Sequence, residues 1–135
     1  LPPLDFARTL IEKFRHEGAA VTHHALIQLT LLDGVSQLSI LRSFRANRPG
    51  DLITADREDI YLFLFGCGMS DISIALANCF FAEFRHALAA EVQWTELTDI
   101  LARLMELERE WNRDAPPDFT LQLIDSPGAR GRESP

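Results

Sequence analysis

The four residues Arg48-Pro49-Gly50-Asp51 have the types and the spacing that could do chemistry. Proline second and glycine third are typical of a type II turn, and the ends of such a turn lie within about 7 Å of each other. The turn can therefore hold an arginine and an aspartate side by side. A guanine base fits this pair, because its O6 and N7 accept two hydrogen bonds from one arginine and its N1–H and N2–H₂ can donate to a carboxylate. The alternative is a surface salt bridge across the turn, which stabilises little by itself.

The composition is that of one globular domain. The chain has 135 residues, of which 47% are hydrophobic, and this is enough to build a core. A net charge of −7 and a pI of about 5.0 argue against general binding of DNA or RNA, which requires a basic surface. No apolar run reaches the roughly 18 residues of a membrane span. The chain lacks an initiator methionine and a signal peptide, so we expect Leu1 to be an excision point from a longer protein.

The cysteines and histidines show no pattern of a metal site. Cys67 and Cys79 lie in apolar contexts without a CxxC motif, which favours buried free thiols over a disulfide or a metal site. No pair among the four histidines has the i, i+4 spacing of ligands on a helix. We therefore predict structural histidines and no metal.

The hydrophobic pattern predicts an α/β (α+β) domain with the order α-β-α-β-β-α-β-α-β. The sheet should be mixed, with about five strands, and helices should cover its faces. Residues 1–124 form the domain in this interpretation, and residues 125–135 form a disordered tail. Helices are predicted at 4–16, 35–44, from an N-cap at Ser70 through Phe84, and at 97–111, and strands at 21–32, 52–55, 60–67, 91–94 and 119–123.

This order of elements resembles that of the GGDEF domain, the fold of diguanylate cyclases. In that family an inhibitory product site, R-x-x-D, lies five residues before the GGDEF hairpin. Here Arg48-Pro49-Gly50-Asp51 is followed by residues 52–56 and then by Arg57-Glu58-Asp59-Ile60-Tyr61, so REDIY stands in the place of GGDEF. The R-x-G-D version, followed by IYLFLFGC and SDISIALANCFF, is similar to the BcsE family of bacterial cellulose-secretion regulators, most clearly over residues 41–81. Those proteins carry a degenerate GGDEF-like domain that binds cyclic di-GMP.

The resemblance implies a role for each residue of the turn. Arg48 would bind the Hoogsteen edge of a guanine, and Asp51 would bind the Watson–Crick edge of the same or a stacked guanine. Pro49 would shape the turn, and Gly50 would let the backbone approach the ligand. A further arginine usually stacks on a base or meets phosphate in such sites, and Arg45, then Arg42, are the candidates. The alternative for both is charge complementation at the end of a helix. In BcsE-like proteins a preceding receiver-like domain can supply a second arginine.

The departures from the cyclase pattern predict that catalysis is lost. Arg57 and Glu58 stand where the resemblance places the two glycines that admit substrate GTP, and Asp59-Ile60 replaces an acidic pair. The preceding strand region offers only Asp33 as a second metal ligand, whereas two-metal phosphoryl transfer needs several oxygen ligands. We therefore expect no catalytic residues, no metal and no cofactor, with cyclic di-GMP as a ligand only.

The leading hypothesis is a non-catalytic cyclic di-GMP receptor domain that regulates bacterial cellulose synthesis or secretion. Its partners would be the preceding receiver-like domain and other cellulose secretion components. It would work in the cytoplasm and could be recruited to the inner membrane through a secretion complex. The alternative is a protein–protein interaction scaffold in which the turn is a relic.

Overall fold

The computed structural model describes residues 1–17, 23–46, 50–81 and 83–114. Within these ranges helices and strands alternate much as the pattern predicted. The elements are α1 (Pro3–Glu17), β1 (Ala25–Leu31), α2 (Gln37–Ser43), β2 (Leu52–Asp56), β3 (Asp59–Leu64), α3 (Ile72–Cys79), β4 (Leu88–Trp94) and α4 (Leu97–Asp114), with 3₁₀ turns at Met69–Asp71 and Phe84–Ala87.

The four described strands form one sheet in the order β2-β3-β1-β4, and every neighbouring pair is antiparallel. The prediction of a mixed sheet is therefore wrong for these strands. The reason is the strand order, since each connection that contains a helix passes over one strand. β3 lies between β1 and β2, and β1 lies between β3 and β4. Strands that run in the same direction are thus never neighbours. The predicted fifth strand, 119–123, and the predicted tail lie outside the described residues.

The sheet is buried on both faces, which gives three layers. On one face, β1 residues such as Ile27 and Leu29 pack in a cluster with residues of α2 and α3. On the other face, Leu26 packs in a cluster with residues of α1 and α4. β1 is thus buried on both sides, and the predicted α+β class with helices covering the sheet is confirmed. No helix among the described residues is long and apolar enough to cross a membrane.

Some element boundaries differ from the sequence pattern. Ser70 is not an N-cap; it lies inside the 3₁₀ turn that follows Gly68. α3 ends at Cys79 because the backbone of Phe80 turns extended, and the Phe80 ring packs 5.0 Å from that of Phe84 instead of continuing the helix. β4 is longer than the predicted 91–94, since pairing with β1 holds its alanine-rich start in the sheet despite a weak strand propensity.

Candidate ligand-binding site

The candidate turn lies at the end of the sheet where β1 and β2 begin and β3 and β4 end. Arg48 and Pro49 are outside the described residues, so only its second half has a described geometry. Gly50 has φ +99°, as the third position of a type II turn requires. A Cβ on Gly50 would lie 3.0 Å from Cγ of Phe65, the residue that follows β3. Glycine is therefore required here both for its backbone angle and for its size.

Asp51 joins the start of β2 to the end of β3. It is only 8% exposed, and its Oδ1 accepts a hydrogen bond of 2.9 Å from the backbone N–H of Phe65. A hydrogen bond to an ionised acceptor is among the stronger kinds in proteins. The carboxylate thus builds the turn, a role that the sequence analysis did not assign to it. The hairpin register could have indicated this role, because Leu52 pairs with Phe63 and so places Asp51 beside the end of β3.

The next backbone amide is held by a histidine. The N–H of Gly66 donates to Nδ1 of His24 at 2.9 Å. His24 is 6% exposed, and its ring lies 4.9 Å from that of Phe65 and 5.6 Å from that of Phe14. Lys13 places its Nζ 4.6 Å from the centroid of the Phe65 ring. Nothing in the local sequence pairs His24 with the turn, because the contact is made only in the folded chain.

The two further candidate arginines lie at the end of α2. Arg42 is in its last turn, as predicted, and Arg45 follows the helix; both are exposed. The backbone N–H of Arg45 donates to the carbonyl of Cys79 at 2.8 Å, which ties this segment to the end of α3. Within the described ranges, neither guanidinium group makes an ion pair or a hydrogen bond. The structure does not bring either one into contact with Asp51, although both groups are accessible to an anion.

A cleft of about 540 Å³ opens at the same end of the sheet. His24 lines the cleft and also contacts the ring of Phe65, whereas Phe65, Gly50 and Asp51 are not among the lining residues. Its volume lies within the range of small-molecule pockets. The other lining residues include His23, Met69, Ser70, Thr95 and Glu96.

The hairpin between β2 and β3 lies at the opposite end of the sheet and is fastened by side chains. Arg57 has φ +60°, a left-handed conformation that suits glycine better than arginine. The side chain of Gln37 donates to the carbonyl of Arg57 at 2.6 Å and to that of Asp59 at 3.0 Å. Gln37 therefore covers the backbone on which the resemblance places the substrate of a cyclase.

Two carboxylates of the hairpin, those of Asp56 and Asp59, are also bound within the protein. Trp111 Nε1 donates to Asp56 at 2.9 Å, and Gln28 Nε2 donates to Asp59 at 3.1 Å. Burial and then the Asp59 carboxylate raise the pKa of Tyr61 to about 12.

In the part of the chain that the structure describes, no three His, Cys, Asp or Glu side chains are grouped to hold a metal ion. Cys67 and Cys79 are buried thiols that are not joined in a disulfide, as predicted.

The antiparallel sheet between two helical layers, with a hairpin at one end and a tight turn at the other, defines a GGDEF-like α+β domain. Residues 2–126 match the family described as BcsE, degenerate GGDEF domain, and the chain therefore belongs to that family. The degenerate character implies a regulatory role without catalysis. No curated protein matches the chain closely enough to count as a relative.

Proposed function

We propose that this domain is a non-catalytic receptor for cyclic di-GMP and that it regulates bacterial cellulose synthesis or secretion. The observation that carries the proposal is the turn at Gly50 and Asp51. A glycine at φ +99° is packed on Phe65, and a carboxylate is held at a fixed position beside it. The packing of Gly50 on Phe65 fixes the backbone of the turn, and the bond from Phe65 fixes the carboxylate that a base would meet.

The bond between Asp51 and Phe65 is compatible with ligand binding. A carboxylate has about four acceptor positions, so a bond from one amide does not prevent a second bond from a guanine. Fixing the carboxylate beforehand lowers the conformational entropy that is lost on binding. Asp51 would thus both build the turn and accept from the Watson–Crick edge, with Arg48 on the Hoogsteen edge.

The arginines at the end of α2 support the proposal through their charge. The chain has a net charge of −7, so an anionic ligand needs local cations. Arg45 and Arg42 are exposed and unpaired among the described residues, six and nine positions before Asp51. Arg45 would stack on a base or meet a phosphate, and Arg42 would add to the local potential.

A regulatory effect requires the ligand to favour one arrangement of the domain over another. The preceding receiver-like domain would supply this difference, because a second arginine from it would meet the ligand only when the two domains are docked. The bound form would then be the form that contacts other cellulose secretion components. We place this activity in the cytoplasm, with recruitment to the inner membrane through the secretion complex.

The test is calorimetric titration of cyclic di-GMP into this chain, alone and joined to the preceding domain. Arg48→Ala should weaken binding roughly five- to hundredfold, the range of one bidentate contact to guanine. Arg57→Ala is the matched control, because Arg57 lies at the opposite end of β2 and should leave affinity unchanged. Equal affinity of wild type and Arg48→Ala would overturn the assignment. GTP with Mg²⁺ should give no cyclic product, since REDIY stands in place of the signature.

The burial of Asp51 favours the interaction module as a second candidate. A carboxylate that is 8% exposed and bonded to an amide is explained by turn building alone. Exposed apolar side chains such as Ile74 and Phe81 would then contact a protein partner. An unchanged melting temperature in excess cyclic di-GMP, with the preceding domain present, would support this candidate over the receptor.

A further inference from the structure

Two successive backbone amides after β3 are held by side chains from two different strand starts. The N–H of Phe65 donates to Asp51, and the N–H of Gly66 donates to His24, both at 2.9 Å. The Phe65 ring also packs against Gly50 and against the His24 ring. We call residues 65–66 the β3 corner. A displacement of this corner moves the surface on which Gly50 and Asp51 rest.

The hydrogen bond to Gly66 fixes the protonation state of His24. A ring nitrogen that accepts a hydrogen bond carries no proton, so Nδ1 is bare and the neutral imidazole carries its proton on Nε2. A second proton would have to be placed on Nδ1, where it would face the N–H of Gly66. Two donors would then oppose each other, and the bond would be lost.

We infer that His24 is a positioning residue for the candidate ligand turn. The neutral ring holds the β3 corner, and the corner holds Gly50 and Asp51 in the geometry that accepts a base. Binding of cyclic di-GMP therefore weakens as the solution becomes acidic and His24 takes up a proton. This inference rests on the proposed function for its ligand, while the link between His24 and the corner stands on the contacts themselves.

Charged groups on the neighbouring elements favour or oppose the second proton on the His24 ring. Lys13 of α1, which lies over the Phe65 ring, opposes a second positive charge. The carboxylates of Asp51, before β2, and of Glu96, which also lines the cleft, favour a positive charge on His24. His23, the preceding residue, lines the same cleft.

The experiment compares binding by three histidine variants between about pH 8 and pH 5.5, a range that spans the ordinary titration of histidine. His24→Asn keeps an oxygen acceptor near the position of Nδ1 but cannot titrate. His24→Phe keeps an aromatic ring but offers no acceptor. His23→Asn is the matched control, because His23 is the exposed neighbour that lines the same cleft.

In calorimetry of the chain joined to its preceding domain, wild type and His23→Asn should lose affinity on acidification, by up to about tenfold per pH unit once His24 titrates. His24→Asn should stay within about twofold of its value at pH 8, as expected for a site that no longer titrates. His24→Phe should bind at least about fivefold more weakly at every pH, because the Gly66 amide loses its acceptor. Equal affinity of His24→Phe and wild type at pH 8, or a pH profile of His24→Asn like that of wild type, overturns the inference and leaves the receptor function standing.

A readout without ligand separates this inference from the proposed function. Hydrogen exchange of the Phe65 and Gly66 amides should be faster in His24→Phe than in His23→Asn, and should speed up in wild type at acidic pH beyond the change in intrinsic rate. If wild type binds no cyclic di-GMP at any pH, the receptor function fails. Hydrogen exchange alone then decides whether His24 positions the β3 corner. Faster exchange at both amides supports the positioning role of His24, and unchanged exchange overturns it.

Discussion

Replacing Asp51 tests whether this carboxylate builds the turn, contacts the ligand or does both. Asp51→Ala leaves the Phe65 N–H without its acceptor at a position that is 8% exposed. An unmet buried donor costs about 1–3 kcal/mol. For a domain of this size, a loss of 1 kcal/mol lowers Tm by about 3–4 °C, so we expect Asp51→Ala to melt about 3–12 °C lower. Asp51→Asn keeps an oxygen for the Phe65 amide and loses the charge assistance of that bond, about 1 kcal/mol.

Thermal and urea unfolding followed by circular dichroism measures these differences. Asp33→Ala is the control, because Asp33 is an exposed aspartate in the turn after β1 and its loss should change stability little. The slope of the urea transition should be the same in all variants, since none of them changes the surface exposed on unfolding. If Asp51→Ala and Asp33→Ala unfold alike, the bond from Phe65 does not stabilise the turn, and the structural role fails.

The same pair of variants then separates structure from binding. Asp51→Asn keeps the fold, but its amide presents a donor next to the donors of a guanine edge. If Asp51 contacts the base, affinity should fall at least about tenfold, the cost of an unpaired group in a buried contact. Wild-type affinity in Asp51→Asn, together with weak binding by Asp51→Ala, would show that the aspartate only shapes the turn.

Three further changes have defined outcomes. Gly50→Ala should lower the free energy of unfolding by about 1–3 kcal/mol, because φ is +99° and the new Cβ would meet Phe65; urea unfolding measures it. Arg57→Gly should raise the free energy of unfolding by about 0.5–1 kcal/mol, because the relief of left-handed strain exceeds the entropy that glycine adds to the unfolded chain. Glu58→Gly, the control, should lower the free energy of unfolding. Stability should be unaffected by Tyr61 below about pH 10 and should fall by up to roughly 2 kcal/mol by about pH 12, because the unfolded chain loses this proton first. Tyr61→Phe should remove that loss, and the absorbance of tyrosinate reports Tyr61 alone, as it is the only tyrosine.

Local patterns predicted the elements well where one physical signal dominates. The alternating residues of β1 and the apolar spacing of α1 and α4 were sufficient to predict these elements. Their apolar faces pack together in the two clusters that cover the sheet. The mixed sheet was wrong because the order of strands depends on how distant segments pack, which no local pattern contains. Ser70 failed as an N-cap for a related reason: the chain forms a 3₁₀ turn there before α3 begins.

The residues of the candidate site also differ in whether a local pattern predicts their role. Gly50 was predictable, because proline followed by glycine specifies a backbone angle whatever surrounds it. The second role of Asp51 and the whole role of His24 were not, because both depend on the β3 corner, which lies 14 residues from Asp51 and 42 from His24 along the chain. Sequence thus identified the turn, and only the packing shows what supports it.

The two ends of the sheet differ in a way that bears on the lost chemistry. At the hairpin, Gln37 occupies the backbone carbonyls and Gln28 holds the Asp59 carboxylate. Ile60, which stands where the signature has an acidic residue, is fully buried in the apolar core, where an ionised carboxylate would be costly. The hairpin therefore stabilises the fold through the positions that the signature uses for catalysis. The opposite end keeps a glycine at positive φ and exposed arginines, which is the arrangement that the proposed receptor function requires.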